Sequence, residues 1–191
     1  MSIPTPSELP ETINVLIVTG VPERRIEQIR AVAPDRIKVT NAYGDTVPMM
    51  AQDWPERTMS RLTAGAPPPS LPQEELDRLI RNAHVLVIGQ PYPMHLTPKP
   101  EKTFWVHNIR AGASRIEDSD FWRGPTFTIS RGYSNALPVA ETAFAAALMF
   151  ARRLDFAAKN TAAGNTLSPQ PPLVLVSGKT CLLYTSDAAD E

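Results

Sequence analysis

Three histidines, one cysteine and a Gly-Lys-Thr triplet are the residues of this 191-residue chain with the most obvious capacity for chemistry. His84, His95 and His107 lack the spacing of a metal site. His84 and His107 fall at the start and end of expected strands, where a hydrogen-bonded structural histidine is commoner than a base. Cys181 stands alone, so an internal disulfide and a thiolate zinc site are both excluded. Gly178-Lys179-Thr180 would close a phosphate-binding P-loop only with a glycine five residues before Gly178, and Leu173 stands there. Three further stretches have plain structural readings when taken singly. Ala111-Gly112-Ala113 is a turn, Gln90-Pro91-Tyr92 is a surface turn, and Ser134 or Asn135 caps a helix.

The elements that must position these residues follow from apolar patterning. Short apolar runs predict strands at 13–18, 36–40, 84–88, 104–107 and 126–130, each too short for a helix. Pro22 opens a helix with Ile26, Ile29 and Ala33 on one side. Ser70-Leu71-Pro72-Gln73 reads as a capping box before a helix with Leu76, Leu79 and Ile80 as its buried stripe. The Pro-rich stretch from Asn41 to Leu71 is expected to be irregular, with one short helix near Asp53 to Leu62. A long helix is expected from Leu137–Pro138 to about Ala158, with an apolar face packed on another element. After a polar connection, a new strand starts at Leu173. Strands alternating with helical segments call for right-handed crossovers and a parallel sheet with helices on both faces. Ligands of such sheets bind beyond the carboxyl ends of the strands, here the loops after Thr19, Ile88, His107 and Ser130.

Composition excludes several classes of partner. Lys+Arg at 19 against Asp+Glu at 20 leaves no basic field for nucleic acid or an anionic membrane. The longest apolar run, Ala143 to Ala151, is far short of the roughly 20 residues that cross a bilayer. The N-terminus lacks the basic start and apolar stretch of a secretory signal, which makes the cytoplasm the expected location. Pro at 20 of 191 is about twice ordinary usage, and the prolines cluster in connections, as long stiff loops require.

Three stretches in this order resemble the D-isomer-specific 2-hydroxyacid dehydrogenase family. They are Phe104 to Ala113, with its Ala-Gly turn; Ser130 to Thr142, a hinge into a long helix; and the strand closing in Gly178-Lys179-Thr180. The resemblance spans about Val15 to Thr180. It implies a flavodoxin-like substrate domain over 1–134, then a linking helix and the first strand of an incomplete Rossmann domain over 135–180. It also implies hydride transfer between NAD or NADP and a small 2-hydroxy or 2-oxo acid, with the parent a homodimer. Carried onto this chain, the backbone N–H groups of Ala111 and Gly112 would hold the substrate carboxylate, since a small-residue turn lets main chain approach an anion. The Asn135 amide would touch substrate, Tyr92 would lie on a substrate-side loop, and Val139 would pack beside the nicotinamide. Glu141 gains from the helix dipole and is structural.

Residues 181–191 break with the family where its Gly-x-Gly-x-x-Gly should follow. They resemble the translated read-through of a transposase-type sequencing adaptor and are expected to be an artefactual tail. The expectation is then a piece of a dehydrogenase cut inside its second domain. The family's arginine, glutamate and histidine lie further along, so no catalytic residue can be carried over and the piece should not turn over. The competing reading is a stand-alone flavodoxin-like binding or self-association module. A receiver is disfavoured because Thr19-Gly20-Val21-Pro22, not an acidic cluster, follows the first strand.

Overall fold

The computed structural model describes residues 9–111, 115–122, 128–132, 135–165, 169 and 171–182. Five strands, β1 (Ile13–Ile17), β2 (Ile37–Asn41), β3 (Val85–Ile88), β4 (Trp105–Asn108) and β5 (Thr128–Arg131), form one sheet in the order β2-β1-β3-β4-β5. Every pairing is parallel, with Val15 opposite both Val39 and Val85, and Val106 opposite Leu86 and Ile129. The fold is α/β with a flavodoxin-like strand order. Its strands fall within two residues of the stretches that the apolar runs predict.

Alternation along the strands divides the core into two faces. Leu16, Val18, Leu86, Ile88 and Val106 point one way, onto Leu76 and Ile80 of α4 (Gln73–Asn82) and onto Tyr92, Met94, Leu96, Ile116 and Phe121 from the loops after β3 and β4. Val15, Ile17, Val85 and Val87 point the other way, onto Ile26 and Ile29 of α1 (Glu23–Val32). The expected helices on both faces are therefore present. The larger cluster includes side chains with no exposed surface, such as Leu86, Ile88 and Tyr92. At roughly 1.5–3 kcal/mol for each large apolar side chain removed from water, it is the main source of stability in this part of the chain.

Two local expectations fail. The stretch from Asn41 to Leu71 is more regular than its prolines suggest, with α2 (Tyr43–Met50) preceding α3 (Glu56–Leu62). Pro48 sits inside α2, and Gly44 lets that helix pass against the Pro67 carbonyl, where any Cβ would collide. The capping box at Ser70 does not form either. Pro72 is the N-cap of α4, and the Ser70 and Leu71 N–H groups donate to Asp45 Oδ1 at 2.5 and 2.8 Å instead. A charged acceptor on α2 outcompetes the local cap because it satisfies two donors at once.

The chain separates into two compact units, Met1–Gly132 and Tyr133–Glu191. In the second, the expected single helix is two. α5 (Ala136–Ala151) stops at Arg152, Arg153 takes a left-handed conformation with φ 54°, and α6 (Leu154–Ala162) follows. No residue of α5 is buried, contrary to the expected packed face. The expected strand at Leu173 is absent, and residues 171–176 are neither strand nor helix. A strand needs another strand beside it for its N–H and C=O groups, and here the Val174 N–H instead donates to Ala151 O at the end of α5 at 2.9 Å.

Candidate functional site

The carboxyl ends of the strands come together through close backbone approach. Gly89, after β3, lies against Thr19, after β1, so that a Cβ at Gly89 would overlap Thr19 Oγ1. Gly132, after β5, donates its N–H to Asn108 O at 2.7 Å, and a Cβ there would stand 2.6 Å from Ile109 O. Asn108, at the end of β4, is buried and accepts the Arg110 N–H on its Oδ1 at 3.1 Å. That bond shapes the turn leading to Ala111, which is exposed. Gly112 and Ser134 lie outside the described residues.

Tyr92 is elsewhere in character. It is 0% exposed, edge-on to Trp54 at 5.5 Å between centroids and tilted against Phe121 at 6.1 Å. Its hydroxyl is buried without a hydrogen-bond partner among the described residues, and burial pushes its pKa up to about 12. In this chain Tyr92 contributes its ring to the core, and the hydroxyl remains a neutral donor. Asn135 is the N-cap of α5, exposed, with no side-chain cap bond, and only its carbonyl accepts, from the Val139 N–H at 3.1 Å. The capping alternative for its side chain is therefore not realised. Val139 is 58% exposed. Ala111 and Tyr92 belong to the first unit, Asn135 and Val139 to the second.

Around Tyr92 lies a polar cluster that no sequence motif announces. Trp54 Nε1 donates to Tyr92 O at 2.6 Å, Asp53 Oδ2 accepts the Met94 N–H at 2.7 Å, and the Arg115 guanidinium lies 4.5 Å from the Trp54 ring centroid while donating to Asp53 O. Arg115 itself has φ 70°, a left-handed conformation that a non-glycine residue adopts only at a cost. Asp53 and Trp54 are about 60 positions from Arg115, and only the folded loops bring them together.

The histidines serve the scaffold. His84 Nδ1 accepts the Asn14 N–H at 3.0 Å and its ring stacks on Phe104, while burial, and to a lesser degree Lys102, holds its pKa below the ordinary 6.5. His107 Nδ1 lies 2.8 Å from Ser130 Oγ, which also accepts from Trp105 Nε1 at 2.8 Å, and burial again lowers the histidine pKa. The pairing of His107 with Ser130 follows from strand register alone. His95 stands 3.6 Å from Asp120 at the surface. No group of three potential metal ligands occurs among the described residues.

The described residues do not compose a dinucleotide cradle. Such a cradle needs a strand, a glycine turn and a helix N-terminus in succession. Gly178 has φ 73° in an exposed turn, with no strand before it and no helix at Lys179 or Thr180. Among the described residues no helix is long and apolar enough to cross a membrane. Neither a protein-family model nor a curated protein sequence matches the chain.

Proposed function

We propose that this chain is the substrate-side part of an NAD(P)-dependent oxidoreductase that interconverts small 2-hydroxy and 2-oxo acids, and that alone it does not turn over. The observation that carries the reading is the position of Ala111. It stands exposed just past the carboxyl end of β4, beside the ends of β3 and β5, where open α/β sheets bind their ligands. By the resemblance, the N–H groups of Ala111 and Gly112 would meet a carboxylate there, since small residues let main chain approach an anion closely. By the same resemblance Asn135 would touch the substrate with its amide, which makes no cap bond to α5. Val139 and Gly112 keep the assignments that the family resemblance implies, whereas Tyr92, with no exposed surface, supports this end of the sheet only through its packing against Trp54 and Phe121. The nicotinamide cofactor would supply the hydride when bound, and the groups that hold its phosphates are absent from the described residues. The chain's own part is to bind and orient the acid.

The test is an NADH oxidation assay with glyoxylate, hydroxypyruvate and larger 2-oxo acids. It is run on the 191-residue chain and on a product extended with the coding sequence found downstream of Thr180. That sequence should give Gly-x-Gly-x-x-Gly within about ten codons. Turnover by the extended product and none by the 191-residue chain is the expected result. Turnover by the 191-residue chain, or an extended product with no such glycine motif and no activity, would overturn the reading.

A further inference from the structure

Arg115 is the one non-glycine residue with a positive φ among the described residues of the first unit, at 70°. A side chain is held in that conformation only where its surroundings over-determine it. Here they do so through a corner formed by Asp53 and Trp54. The N–H groups of both residues donate to Met50 O, at 3.0 and 3.2 Å, which seats the corner on the end of α2. From that seat it reaches two loops. Asp53 Oδ2 and Trp54 Nε1 take hold of the loop after β3 at the Met94 N–H and at Tyr92 O, while the Asp53 carbonyl and the Trp54 ring take hold of Arg115 from the loop after β4. The Asp120 N–H adds a bond to Met94 O at 3.1 Å, so the two loops are tied to each other as well.

The loop after β4 is also fixed where it leaves the strand. The Ile109 N–H donates to Ile88 O at 2.9 Å, the Arg110 N–H to Asn108 Oδ1 at 3.1 Å, and Arg110 O accepts the Gly132 N–H at 3.3 Å. Ala111 comes next, exposed and with only a methyl group for a side chain. The first described residue after it is Arg115, whose guanidinium donates to Asp53 O at 3.3 Å and lies 3.9 Å from Met94 Sδ. Ala111 thus has the strand-end hydrogen bonds before it and the Arg115 clamp after it.

We propose that Arg115 is a positioning residue for the main chain at Ala111: laid on the Trp54 ring and bonded to Asp53 O, its guanidinium fixes the far side of the loop that Ala111 opens. A backbone N–H recognises an anion only if it is held in place, because a displacement of about 1 Å is enough to spoil a binding geometry. Arg115 acts through the backbone and makes no contact with the acid. Its strained φ is then the cost of placing the clamp where the loop requires it. The consequence for acid binding rests on the function proposed above, whereas the clamp itself does not.

Two variants of the 191-residue chain test this by nuclear magnetic resonance. Arg115→Gly suits the left-handed conformation and removes the guanidinium, so it separates strain from clamp. Trp54→Leu removes the ring and the Nε1 donor and keeps every charge. In each, the Met94 amide should exchange about tenfold faster, the order parameter of the Ala111 amide should fall from about 0.85 toward about 0.6, and the shift that glyoxylate induces at Ala111 should need about tenfold more glyoxylate. The slowest amides of β1 and β3 should keep their rates. Arg115→Lys retains a cation over Trp54 and should fall between wild type and Arg115→Gly. An Ala111 amide as ordered in Arg115→Gly as in wild type would overturn the proposal. A glyoxylate response weakened by Arg115→Gly and untouched by Trp54→Leu would make the guanidinium a direct contact of the anion, and would also overturn it. Loosening in both variants with no glyoxylate response in any chain would uphold the clamp and count against the proposed function instead.

Discussion

Gly89 and Thr19 illustrate how single atoms set the geometry of the strand ends. A methyl group at Gly89 would overlap Thr19 Oγ1, stand 3.1 Å from its Cβ and lie 3.3 Å from Ile109 Cγ1. Gly89→Ala should therefore destabilise the protein by about 1–3 kcal/mol, the usual cost of overpacking. Thr19→Ala removes the overlapping oxygen, so the double variant should lose less than the two singles added. A double-mutant cycle by chemical denaturation checks this, and strict additivity would deny the contact. His84 gives a pH-dependent test. Its folded pKa lies below 6.5, so the unfolded chain binds more protons in the window just under that value. Its contribution is thus complete above about pH 6.5 and is lost as pH falls toward the folded pKa. Stability should fall as pH drops below about 6.5, and His84→Gln should flatten part of that slope, with His107 supplying some of the remainder in the same direction. The strand ends at Thr19 and Gly89 are legible in the sequence as positions. Their contact is not, because it depends on two strands 70 residues apart meeting in register.

Among the elements, β3 lies at the centre, hydrogen-bonded to β1 and β4, and its two faces differ in how they respond to loss of volume. Leu86 has no exposed surface and sits in the larger cluster, so Leu86→Ala should cost about 2–5 kcal/mol. Val87, 6% exposed, lies on the other face, at the edge of an open apolar groove of about 750 Å³ that Val85, Ile29 and Phe104 also line. Val87→Ala should cost only the transfer of its two methyl groups, about 1–2 kcal/mol. Equal losses in the two variants would mean that the groove is filled in solution. The strands were legible because four- to six-residue apolar runs are too short for helices. α2 was not, because its Gly44 and Pro48 argue against helix locally and only the fit of Gly44 under the Pro67 carbonyl offsets them. The break between α5 and α6 carries no glycine or proline, and nothing in the structure explains why Arg153 takes the left-handed conformation.

For the molecule as a whole, sequence and structure agree best where contacts are parallel strand pairs and least where an element needs a neighbour. The first unit contains its own partners, so its patterning translates directly into a sheet. Ala111, Tyr92, Asn135 and Val139 could be singled out only through a family resemblance. The roles of Asp53, Trp54 and Arg115 stayed hidden because they arise from packing between distant loops. The second unit shows the other outcome at Leu173–Val176. These four apolar residues, 37–69% exposed, have the composition of a strand but, among the described residues, no strand beside them. The Val174 N–H donates to Ala151 O and Val176 O accepts from the Lys179 N–H, yet an exposed apolar segment of this composition is a template for fibrillar stacking once those two bonds open, copies then supplying one another with the missing edge. Pro171 and Pro172 guard only the amino-terminal side. On storage the chain should slowly develop thioflavin-positive aggregates whose growth starts at this tetrapeptide. Val174→Lys should lengthen the lag without altering the melting of the sheet, and an unchanged lag would place the seed in another segment.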